Sequence, residues 1–177
     1  ASTFARMALG VALVHRHTTA ELDRGMAVMV EVSDVFARGA HNLGDRPLID
    51  VLVARERARR GDRDEAIPLM RAAVDHLVRE GQLLAWGVPA TGVLVEALLD
   101  RGADGDVAEA LGAITRLTDA PADGGLVTRD VWLLRMRALL ARAQDDQTSY
   151  RDCRDRYCAM ATSLGFEGHM KWAEAML

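Results

Sequence analysis

The sequence predicts an all-α protein, an α-solenoid of about four helix pairs closed by a C-terminal capping helix. Three observations carry that expectation. Ala supplies roughly one residue in six and Leu one in eight, while Ile occurs three times and aromatics make up 5% of 177 residues, a mix that favours helix over sheet. The segments Thr18-x-x-Glu21, Asp62-x-x-Glu65 and Asp106-x-x-Glu109 recur at a spacing of 44 residues, each with the form of a capping box. Behind each box, apolar residues return at three- and four-residue steps, the stripe of an amphipathic helix.

Taken in order, the first unit has helical patterns over Phe4 to His15 and Ala20 to Arg38. The second opens at Pro47, tolerated early in a helix because its missing N–H is not needed there, and stops near Arg60-Gly61. After the box come Ala66, Ile67, Met70, Ala73, Val74 and Leu77, with Gly81 as the stop. Pro68 falls early enough to be accepted, and Pro89 starts or kinks the next helix. The third unit places Val93, Leu94, Ala97 and Leu98 before a stop near Gly102, then Ala110, Leu111, Ile114 and Leu117. In the fourth, a helix over Val131 to Ala143 precedes one over Tyr150 to Leu164, ending at Gly165; Asp146 begins a weaker box with Ser149 in place of Glu. Four positions after the capping residues stand Leu22, Ala66, Ala110 and Tyr150, and the two Ala allow close helix approach. Glu167 to Met176 closes the array, with Met170, Ala173 and Met176 on one face and Trp172 beside them. Irregular chain is expected over His41 to Arg46, Gly81 to Gly87 and Ala120 to Gly125. The whole reads as one tetratricopeptide-like repeat domain over residues 1–177, with units of roughly 1–40, 41–82, 83–122 and 123–165 and a cap over 166–177.

A net charge of −4 argues against nucleic-acid binding, and no apolar run approaches the length of a membrane span. Of the 22 basic residues only Lys171 is a lysine. Cys153 and Cys158 stand five apart on one predicted helix, about 140° around its axis, so they cannot bridge locally; reduced thiols in a cytoplasmic protein are expected. The chain opens at Ala1 inside an apolar-periodic stretch and carries no secretory signal, which reads as a piece of a longer protein.

Chemistry is sparse. No phosphate loop, dinucleotide fingerprint, zinc-protease, hydrolase or kinase signature occurs. His15 and His17 point to different sides of a helix, and Asp100, Asp104, Asp106 and Glu109 lack the alternating ligand run of a calcium loop. A non-catalytic fragment without cofactor or metal is therefore expected. The residues most able to recognise a partner lie on first helices, which line the concave groove of stacked helix pairs. These are Trp132, Arg135, Arg55, Arg59 and Glu96, with Trp86 just ahead of its helix. The simpler reading makes Trp132 core and the arginines solvated.

Three stretches carry a family likeness: Ala54 to Met70 (ARERARRGDRDEAIPLM), Leu84 to Gly92 (LAWGVPATG) and Leu164 to Met176 (LGFEGHMKWAEAM). Together they resemble the C-terminal helical region of large mycobacterial signalling proteins, in which a class III adenylate/guanylate cyclase domain precedes an AAA or STAND-type ATPase. Some relatives carry a LuxR-type DNA-binding domain instead. The resemblance implies a parent with cyclase or ATPase activity, with ATP and a divalent metal confined to its upstream domains. This segment would be the regulatory repeat end, binding those domains, another protein or a small inducer, or else dimerising the parent. No catalytic residue carries over.

Overall fold

The computed structural model describes residues 2–14, 18–38, 46–122 and 125–177, and every regular element among them is an α-helix. The chain divides into two compact units, residues 1–82 and 83–177, at the point where the second repeat gives way to the third. The first unit holds α1 (Thr3–Leu13), α2 (Thr19–Arg38), α3 (Arg46–Arg59) and α4 (Arg63–Arg79). The second holds α5 (Gly87–Arg101), α6 (Asp106–Asp119), α7 (Val127–Ala143), α8 (Gln147–Leu164) and α9 (Glu167–Glu174).

Packing follows sequence order, as in a solenoid. In the first unit α1 pairs with α2 and α3 with α4, and α3 also lies on α2 and α1. In the second α5 pairs with α6 and α7 with α8; α7 also packs on both α5 and α6, and α9 packs on α8. The predicted stripe of α4 is its core face: Ala66, Ile67, Met70 and Leu77 are fully buried, and Ala73 and Val74 nearly so. On α6, Ala110, Ile114 and Leu117 are buried, but Leu111 faces solvent at 48% exposure. The expectation for Leu111 is corrected: it lies one residue off the buried stripe.

Helix stops follow a shared pattern. At Gly81 the N–H groups of Gly81 and Gln82 return to the carbonyls of Val78 and Leu77 at 3.1 and 2.8 Å, a left-handed closure that satisfies the last turn. Asp145 holds the equivalent position after α7 at φ 59°, the non-glycine residue with positive φ among those described.

The starts differ from expectation, and each difference has a local cause. Thr18 accepts from the Glu21 N–H at 3.3 Å and donates to its carboxylate at 2.7 Å. Asp62 makes no side-chain capping bond. Asp106 is the first helical residue, not the cap, and its carboxylate turns backwards. It accepts from Arg101 Nη2 at 2.6 Å, Arg101 Nε at 3.0 Å and the Ala103 N–H at 2.8 Å. Asp146, in the weaker box, does cap its helix, accepting from the Ser149 N–H at 3.0 Å. Hydrogen bonding from the Ser149 side chain, and then from its N–H, holds the Asp146 carboxyl below its ordinary value. A carboxylate lowered by folding stabilises fully above its unfolded pKa and loses that contribution as pH falls through the folded one. Asp146→Ala is therefore expected to lower the melting temperature at neutral pH, with the two proteins converging in strong acid. An equal gap at both ends would remove the cap as its cause.

Two glycines set the spacing of α1 on α2. A Cβ on Gly25 would stand 2.8 Å from Leu13 Cβ and 2.9 Å from the Val14 backbone nitrogen, whereas one on Gly10 would meet the flexible Met29 Cγ at 2.7 Å. Backbone cannot retreat as a methionine can, so Gly25→Ala is expected to cost about 1–3 kcal/mol and Gly10→Ala less. Denaturant melts of the two variants followed by far-ultraviolet circular dichroism compare them directly.

Candidate binding site

The six residues singled out from the sequence are divided between the two units. Arg55 and Arg59 belong to the first unit, on α3. Arg55 Nη2 donates to the Val14 carbonyl at 3.2 Å, joining α3 to the end of α1, and Arg59 is exposed. Trp86 is half-buried in the turn that caps α5. Trp132, Arg135 and Glu96 do come together in the second unit, but as an internal joint. Trp132 is 7% exposed. Its ring lies against Gly92 of α5, where a Cβ would stand 2.2 Å from Cε3. Two α9 residues brace the other side, His169 at 5.1 Å and Trp172 at 5.4 Å between ring centroids, both edge-on.

Arg135 completes the joint. Its side chain is 6% exposed, and Nη2 donates to Glu96 Oε1 at 2.8 Å. Its guanidinium carbon sits 4.7 Å from the Trp172 ring centroid and 5.9 Å from that of Trp132, so two ring faces take part of the place of water around the cation. Nε and Nη1 have no hydrogen-bond partner among the described residues. On α8, Tyr157 is fully buried; its hydroxyl lies 2.9 Å from His169 Nδ1 and donates to the His169 carbonyl at 3.1 Å. Burial pushes the phenol above its ordinary range, with the Arg135 charge opposing. Tyr150, the large residue at the offset where the second and third units carry Ala, donates from its hydroxyl to the Met176 carbonyl at 2.7 Å. The terminal helix is thus held by side chains from α7 and α8. Sequence reasoning placed Trp172 in a cap and missed that this cap covers Trp132 and Arg135.

The remaining chemistry is similarly committed. Burial raises the Cys153 thiol above its ordinary value, which suppresses the reactive thiolate. Asp106 of the acidic segment is held by Arg101 and Ala103. His15, His17, His41 and Asp123 fall outside the described residues.

An open groove of about 550 Å3 lies in the first unit, between α2, α3 and α4. Its floor is a stripe of α3 that includes Asp50, Val53, Ala54 and Arg57, successive positions on one helical face. One wall is α2, with Val30, Ser33 and Asp34; the other is α4, with Leu69, Ala72 and His76. Both walls pack on α3, yet among the described residues α2 and α4 do not pack on each other. Val30 and Leu69 stay 43% and 47% exposed, giving the groove two unpartnered apolar lips. At one end Ser33 Oγ donates to Asp50 Oδ1 at 3.0 Å, and Arg46 pairs with the other Asp50 oxygen at 3.5 Å. None of the six residues singled out from the sequence lines this groove.

Comparisons with protein families, with curated proteins and with solved structures each give no match.

Proposed function

We propose that the chain is a non-catalytic helical-repeat scaffold that binds a peptide segment of a partner in the α2/α3/α4 groove. In the setting the resemblance implies, that partner is an upstream ATPase or cyclase domain of the same parent, and occupancy biases the parent between states that bind the groove unequally. The observation that carries the reading is the groove itself: about 550 Å3, within the range of ligand sites, with an apolar centre and polar ends. Ala72 lines it and is exposed, so Ala72→Trp fills the space without disturbing the core. Random linear peptides displayed on phage and panned on the protein are expected to enrich sequences that no longer bind Ala72→Trp. Enriched peptides that bind both proteins equally would place recognition elsewhere.

One observation favours assembly as a second role. Phe4 and Leu9 are 57% and 44% exposed, and Ala5, Ala8 and Ala12 are exposed on the same side of α1, a helix apolar nearly all round. Light scattering across a concentration series, with Phe4→Glu as control, reads this directly; a concentration-independent monomer excludes it.

A further inference from the structure

The charges along the groove are sorted, and the sorting specifies an occupant. Asp50 is already engaged by Arg46 and Ser33, which leaves Asp34, next to Ser33 on α2, as the carboxylate facing the groove at that end. Arg57 lies seven residues further along α3 from Asp50, on the same stripe, about 10 Å away. Asp34 and Arg57 are exposed and hold no ion-pair partner among the described residues. Between them the lining is apolar or small: Val30, Val53, Ala54, Leu69 and Ala72. His76 completes the titratable lining, from the α4 side.

Building on the groove as the binding site, we propose that its occupant is an amphipathic helix carrying a basic and an acidic residue two turns apart. The basic residue sits at Asp34, the acidic one at Arg57, and the apolar turn between them fills the centre. Two helices that flank a third without touching leave the channel that a helix fills in groove recognition, and two helical turns match the rise along α3 from Asp50, which Ser33 beside Asp34 contacts, to Arg57. The groove favours a partner with one charge of each sign over one with two alike.

The test is isothermal titration of the intact chain with three terminally blocked peptides of about 14 residues, long enough for a marginal helix. All share an apolar stripe and carry Lys/Glu, Lys/Lys or Glu/Glu seven positions apart. Lys/Glu is expected to bind tightest, each mismatched charge weakening binding about two- to fivefold, and raised salt narrowing the gap. Asp34→Lys should transfer the preference to Glu/Glu, and Arg57→Glu to Lys/Lys. Ala72→Trp should abolish binding of all three. Three equal affinities, all lost in Ala72→Trp, would overturn the charge assignment and leave the groove as the site. Binding that persists in Ala72→Trp, or no binding by any peptide, would overturn the groove as well.

Discussion

Gly92→Ala is expected to destabilise residues 83–177 by about 3 kcal/mol. A methyl group there would lie 2.2 and 2.3 Å from Trp132 Cε3 and Cζ3, far inside contact distance. The indole has little room to withdraw, because His169 and Trp172 hold its other side. Helix propensity acts the other way, since Ala in a helix interior gains about 1 kcal/mol over Gly. The sign of the measured change therefore tells which effect dominates. Urea unfolding of the single variant, and of Gly92→Ala combined with Trp132→Leu, checks the cause. The smaller side chain should restore more than half of the loss that Gly92→Ala adds. A neutral or stabilising Gly92→Ala would mean that α5 does not depend on this slot to seat α7.

Asp106→Ala is expected to cost about 3 kcal/mol, the low end for breaking a buried ion pair. The carboxylate is 2% exposed and accepts from two nitrogens of Arg101 and from the Ala103 N–H. Its removal strips a charge-assisted clamp from the turn between α5 and α6. The low end applies because Arg101, at 21% side-chain exposure, can recover some water. Asp62→Ala serves as the control: the same residue type at the matching repeat position, exposed and without a capping bond. Calorimetric melts should separate the two variants clearly. Equal losses would show that the clamp contributes little.

The helices and their stops were legible because they depend on local signals. Apolar period, Gly at the left-handed stops and the order of pairs all follow from a few residues of context. Cap direction was not so legible. The Asp-x-x-Glu pattern supplies an oxygen near a helix start, but at Asp106 an arginine five residues earlier captures it. At Asp62 nothing directs the side chain to the cap position. The candidate site was less legible still. Helix α7 spreads its apolar and charged residues nearly evenly around its axis, so its sequence does not tell which face another helix will cover. Trp132 lies in a slot opened by Gly92, 40 residues away, and is closed over by α9. The groove left one readable trace: Leu69 lies off the buried stripe of its helix. The meeting of Asp34 and Arg57 over one floor exists only once α2 and α3 have packed.

The aromatic joint also makes the molecule spectroscopically lopsided. All three tryptophans and both tyrosines lie at or beyond residue 86, and residues 1–82 hold only Phe4 and Phe36 among the aromatics. Indole emission thus reports on residues 83–177 alone, with His169 and Trp172 against Trp132 positioned to make it sensitive to the seating of α9. Residues 1–82, where the groove lies, contribute to the amide signal and are dark in emission. The difference between the two signals through one denaturant titration is then the unfolding curve of the groove-bearing unit, and a tryptophan placed at Ala72 would give that unit a light of its own.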